Sequence, residues 1–123
     1  MLFWFHQRRT LGLAAFPSLR IAVAPNRCRI PDVCVVPLPE PDEQIFTAPP
    51  YICIEVLSPE DAFLSLQQRF DDYLKMGVPN VWAIEPASRR AWFITPAGHF
   101  EALDAILRTG DGRIAMPLAD LFE

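Results

Sequence analysis

Tyr51-Ile52-Cys53-Ile54-Glu55-Val56-Leu57 is an apolar, β-branched run with one carboxylate set inside it. Without Glu55 it would be an ordinary core strand: short, continuous and rich in isoleucine and valine. A second run of the same kind, Asp32-Val33-Cys34-Val35-Val36, opens on an acid. Burying an ionised carboxylate without a partner costs several kcal/mol, so such a group shifts its pKa, pairs, or binds a cation. If the two runs form an antiparallel hairpin, its loop is centred between residues 43 and 44. Residues whose numbers sum to 87 then face each other, and Asp32 with Glu55 is such a pair. Opposed residues project from one face of a sheet with Cβ atoms roughly 5 Å apart. That is a hard-cation site in outline.

Working away from these runs, residues 2–11 resemble the end of a helix that stops near Gly12, and Leu19 to Ala24 alternates as a strand. Pro25 to Pro31 turns into the Asp32 run. Between the two acidic runs lies a proline-rich, acidic stretch from Pro37 to Pro50. Its prolines cannot donate ladder bonds, so it is expected as a stiff surface connection outside the sheet. After Glu55 comes a helix signal: Ser58 as N-cap, Pro59 at the first helical position and Asp61 completing a capping box. Phe63, Leu66, Phe70, Tyr73 and Leu74 recur at helical spacing as a core stripe. Ser65, Gln68, Arg69 and Asp72 occupy the opposite face, where Asp71 and Asp72 are placed to pair with Lys75 and Arg69. Gly77 ends the helix and Pro79 prevents its resumption. Strands are expected at Asn80 to Glu85, Arg90 to Thr95 and His99 to Ala102, followed by a hairpin around Thr109-Gly110-Asp111-Gly112. Trp82 and Trp92 are expected to pack the core. The order of elements predicts an α/β domain: a mixed β-sheet with flanking helices.

Composition narrows the class. A chain of 123 residues is one domain with a single real core, and 51% apolar content at net charge −4 excludes a disordered chain. No apolar stretch approaches the ~18 residues of a membrane span, and no apolar h-region with a cleavage site follows Met1. Cys28, Cys34 and Cys53 are odd in number and lack zinc-site spacing, so they are expected as reduced core residues of a cytoplasmic protein. His6 and His99 are isolated from the carboxylates in sequence. Charge is lopsided. Residues 1–31 hold five arginines (Arg8, Arg9, Arg20, Arg27, Arg29) and no acid, whereas the remainder holds six basic and fifteen acidic side chains. A basic edge beside an acidic body could steer a phosphate backbone, or be a solvated surface.

The chemistry follows from the acids. Two carboxylates on adjacent strands can hold Mg²⁺ or Mn²⁺ through oxygen ligands, leaving room for water and a substrate phosphate. Arg69 lies on the helix that follows Glu55. Its guanidinium does not lose a proton at working pH, so it can hold a phosphate or stabilise transition-state charge but cannot act as a base. From the residues alone, a metal site and a structural carboxylate–arginine pair both stand.

The run Arg29-Ile30-Pro31-Asp32-Val33, then Ile54-Glu55-Val56-Leu57-Ser58-Pro59, then Tyr73, Gly77-Val78 and Val81-Trp82-Ala83-Ile84-Glu85-Pro86, resembles the Uma-two family over nearly the whole chain. This bacterial family has a restriction endonuclease-like, PD-(D/E)XK nuclease core. The resemblance implies a metal-dependent endonuclease that hydrolyses DNA phosphodiester bonds, with Asp32 and Glu55 as metal ligands and the Val56 carbonyl as a further one. Asp32, Glu55 and Arg69 would form the catalytic set, with Mg²⁺ or Mn²⁺ as cofactor and DNA as partner. Two departures stand out. The family's catalytic lysine usually lies four residues before the tyrosine, where this chain has Arg69, and Ser65 stands where an aspartate is common. Family members also begin with a β-hairpin and a longer first helix, so residues 1–123 are expected to form one truncated domain. Phe3, Trp4 and Phe5 would then partly cover the sheet. The alternative is a catalytically silent domain acting as a binding or dimerisation module, with homodimer formation through the uncovered face.

Overall fold

The computed structural model describes residues 2–8 and 11–121. Arg9 and Phe122 lie outside the described residues, as does the side chain of Phe3. The chain runs α1 (Leu2–His6), β1 (Leu13–Pro17), β2 (Ile21–Ala24), β3 (Arg27–Arg29), β4 (Val33–Pro37), β5 (Ile52–Val56), α2 (Phe63–Met76), β6 (Asn80–Glu85), β7 (Arg90–Thr95), β8 (Gly98–Glu101), β9 (Ile106–Arg108) and β10 (Ala115–Pro117). A 3₁₀ turn at Leu118–Leu121 follows. A mixed six-stranded sheet of order β1-β4-β5-β6-β7-β8 organises the molecule, and the β2–β3 and β9–β10 hairpins stand apart from it. All its neighbours are antiparallel except β5 and β6, which are parallel. A parallel pair needs a crossover, and α2 supplies it. This is the α/β fold with a mixed sheet and flanking helices expected from the order of elements.

β4 and β5 are apolar on both sides because both faces of the sheet are covered. On one face Val33, Val35, Ile52, Ile54, Trp82 and Ile84 pack under Trp4 and Phe5 of α1 and under Leu107, Ile114 and Met116 from the β9–β10 unit. On the other, Cys34, Val36, Cys53, Val81, Ala83 and Ile94 meet Phe70 and Tyr73 of α2, Ile21 of β2 and Phe46. Trp4 and Phe5 are buried, so the short first helix does close its side of the sheet. Trp82 is core, and Trp92, partly buried, packs against the α2-side cluster.

Several local expectations give way to tertiary context. The capping-box residues close a turn instead of the helix: Ser58 N donates to Asp61 Oδ2 at 2.8 Å, and Asp61 N to the Ser58 carbonyl at 3.1 Å. The helix begins at Phe63 after Ala62, which makes no side-chain cap. Phe63 therefore sits in the first turn, beyond the sheet's cover, and is 74% exposed rather than core. Gly77 ends α2 as expected, at φ 99°, with its N–H and that of Val78 satisfying the Leu74 and Tyr73 carbonyls. The stretch from Arg27 to Arg29, expected as part of a turn, is β3, paired with β2. Leu13–Pro17, which carries no strong strand signal, pairs with β4 at the sheet edge. The proline-rich connection stays outside the main sheet, but its Phe46 is buried and bridges Ile21. Cys34 and Cys53 are buried as expected, whereas Cys28 is exposed on the β2–β3 hairpin. No described helix is long and apolar enough to cross a membrane.

Candidate metal centre

The hairpin register settles where the two acids stand. β4 and β5 pair Val33 with Ile54, Cys34 with Cys53 and Val35 with Ile52, the alignment in which residue numbers sum to 87. One further step sets Asp32 opposite Glu55. Side chains alternate along a strand, so both acids share the face of Cys34 and Cys53, the face that α2 covers. Asp32 lies just outside β4 and is exposed, whereas Glu55 is inside β5 and 1% exposed. The centre is thus half wall, half door.

Asp32 Oδ2 accepts the Val56 N–H at 2.7 Å, which ties the end of β5 to the turn before β4. Val56 therefore meets Asp32 through its amide, and its carbonyl, the expected ligand atom, takes no part in that bond. Glu55 is held from above by α2. Tyr73 Oη donates to Glu55 Oε1 at 2.5 Å, and Arg69 Nη1 approaches Oε2 at 3.4 Å. Burial raises the Glu55 carboxyl to about 7, against the opposing pull of the Tyr73 hydrogen bond and the Arg69 charge; Asp32 pushes it further up through repulsion and a shared hydrogen bond. Burial and the Glu55 charge together hold the Tyr73 hydroxyl firmly protonated. The tyrosine is a fixed donor, not a base.

Asp32, Glu55 and Arg69 are thus brought together. Asp72 is not part of that set. Instead of pairing with Arg69 it is buried under the β2–β3 hairpin, where Arg27 Nη2 and Arg29 Nε donate to its two oxygens at 2.6 and 2.8 Å. Asp71 accepts from Gln67 rather than from Lys75. Ser65 is exposed. His99 rests edge-on against Phe70, and His6 is exposed, both apart from the acids. Tyr73 was legible only as a member of the core stripe. The signal that could have singled it out is its polar tip, which needs a partner when buried next to a strand carrying a carboxylate.

The donor chemistry fits a hard cation. Asp32 and Glu55 offer oxygen atoms from directly opposed positions, and Mg²⁺ is commonly held by one or two carboxylates with water and substrate phosphate completing its shell. Among the described residues no group of three or more histidine, cysteine, aspartate or glutamate side chains forms a metal cluster. A divalent ion such as Mg²⁺ or Mn²⁺ would find two carboxylates here.

A mixed sheet with a strand–helix crossover and an acidic pair at the head of its central hairpin is the core of the restriction endonuclease-like class. The chain belongs to the Uma2 family, described as "Putative restriction endonuclease", whose model matches residues 1–120. Among solved structures it is similar to a protein from Anabaena variabilis ATCC 29413 described as "a putative nuclease belonging to DUF820". The match has a TM-score of 0.73 and 23% identity, and covers 94% of this chain and 70% of that one. No curated protein matches.

Proposed function

We propose that the protein is a metal-dependent endonuclease that hydrolyses DNA phosphodiester bonds at the Asp32–Glu55 pair. The observation that carries this reading is the convergence of two acids from opposed strand positions, one buried and one open to solvent. Asp32 and Glu55 would hold Mg²⁺ or Mn²⁺. When bound, such an ion polarises a phosphodiester and lowers the pKa of an attacking water.

The chain's own groups have distinct tasks. Asp32 is exposed and is fastened through Oδ2 by the Val56 amide. Tyr73 fixes the orientation of Glu55 by binding one oxygen. Arg69 is a third exposed and sits over the second oxygen. It is placed to exchange that loose contact for a phosphate oxygen and to stabilise charge developing there. It is permanently protonated and cannot accept a proton, so the attacking water must lose its proton to something else. Because Glu55 titrates near neutrality, cation and proton compete for it, and cation affinity should rise with pH.

The test is nicking of supercoiled plasmid with Mg²⁺ or Mn²⁺ against an EDTA control. Cleavage that needs the cation and vanishes in Asp32→Ala and Glu55→Gln supports the reading; cleavage undiminished in both contradicts it. One observation favours a second reading. Arg69 already compensates Glu55, and among the described residues no buried side-chain polar atom lacks a partner. A silent domain that binds a partner or a second copy of itself would look the same. Self-association that persists in Glu55→Gln, with no nicking by the wild type, would select it.

A further inference from the structure

The β2–β3 hairpin carries Arg27 and Arg29 two residues apart on one strand, and both reach across to α2. Asp72 there is 8% exposed at its side chain and accepts both arginines. One arginine would neutralise one carboxylate. Two leave a surplus positive charge, and residues 1–31 contain no acid to absorb it. Each guanidinium gives Asp72 a single N–H of its five. The Arg27 side chain is 56% exposed and that of Arg29 25%, so each has an edge left for an outside acceptor. Arg69 lies three residues before Asp72 on the same helix, a rise of about 4.5 Å, and touches Glu55. The cations therefore form a file: Arg27 and Arg29, anchored by a buried acid, then Arg69, then the acidic pair.

We infer that Arg27 and Arg29 are a docking track for the phosphate backbone of duplex DNA, which leads a strand along α2 to Arg69 and the Asp32–Glu55 centre. The inference rests on the nuclease reading and names the surface that holds its substrate. The Asp72 carboxylate pre-sets the fork of both guanidiniums, so less side-chain freedom is given up when a phosphate arrives.

The experiment is fluorescence anisotropy of labelled duplex DNA with the full chain in EDTA, where metal-dependent cleavage is silent, over about 50 to 200 mM salt. Each arginine–phosphate pairing removed should reduce the magnitude of the log–log salt slope by about 0.9. Arg27→Ala should remove one such increment and Arg27→Ala with Arg29→Gln two. Arg27→Lys should keep the slope, as should Arg108→Ala on β9. Should the double variant fail to fold in a thermal melt, the half-exposed Arg27→Ala alone decides. Full slopes in the alanine variants of a wild type that nicks plasmid overturn the track and leave the nuclease reading standing. Reduced slopes with a wild type that never nicks support the track and sink the nuclease. A wild type that neither binds nor nicks overturns both.

Discussion

Glu55 has the most informative environment in the chain. Its carboxyl is lifted from about 4.5 to about 7, chiefly by burial. In the folded state it therefore holds its proton to higher pH than in the unfolded state. Its contribution to stability is complete below the unfolded pKa and is lost as pH rises through the folded one, between about 4.5 and 7. In cation-free buffer Glu55→Gln should unfold later than the wild type at about pH 8, by up to about 3 kcal/mol, with the gap closing near pH 5. Urea melts at the two pH values measure this, and equal gaps at both would deny that Glu55 is the titrating group. Tyr73→Phe removes the donor from Glu55 Oε1. It should cost about 1–3 kcal/mol near pH 8, as expected when a buried acceptor is left without its partner, and should push the Glu55 titration higher still, read by carboxyl NMR shifts. Arg69→Ala should separate two roles: tighter cation binding, because a competing charge is gone, with turnover lower by about a hundredfold or more.

The elements show what local sequence does and does not carry. The β6–β7 pair and the end of α2 at Gly77 follow from signals that neighbouring residues supply: strand alternation, a turn, and a glycine at φ 99°. The start of α2 does not. Ser58, Pro59 and Asp61 are as good a turn as a cap, and the choice belongs to the parallel strand that must be reached after β5. Phe63 fits the helical stripe by spacing yet stands exposed, since periodicity gives direction around a helix axis and not how far the sheet extends beneath it. β3 was illegible because Arg27-Cys28-Arg29 has no apolar side to bury; its reason for existing is Asp72, 43 to 45 residues away. Asp72→Ala should therefore loosen the β2–β3 hairpin before the sheet. Amide exchange should speed at Ile21 and Arg29, which face each other across the hairpin, at a cost of about 2 kcal/mol for two charge-assisted bonds, with β5 and β6 little changed. Uniform acceleration across all strands would contradict that local role.

For the molecule as assembled, the pairing of two apolar runs through a symmetric loop sets the face and height of both acids. What the sequence could not express was the second layer around them: the Tyr73 hydroxyl on Glu55, the Val56 amide on Asp32 and the loose reach of Arg69. These depend on how α2 settles on the sheet, a long-range result of packing. Opposite them, Phe5 closes the other face at 2% exposure. Phe5→Ala should cost about 3–5 kcal/mol in thermal or urea unfolding, a drop that would mark the short helix as part of the core. The most direct test of the central claim is calorimetric titration of Mn²⁺ at about pH 8, above the Glu55 titration, into the wild type and Asp32→Ala. The account predicts one saturable site in the wild type that is abolished by the substitution. Equal binding in the two proteins, or none in either, would contradict it.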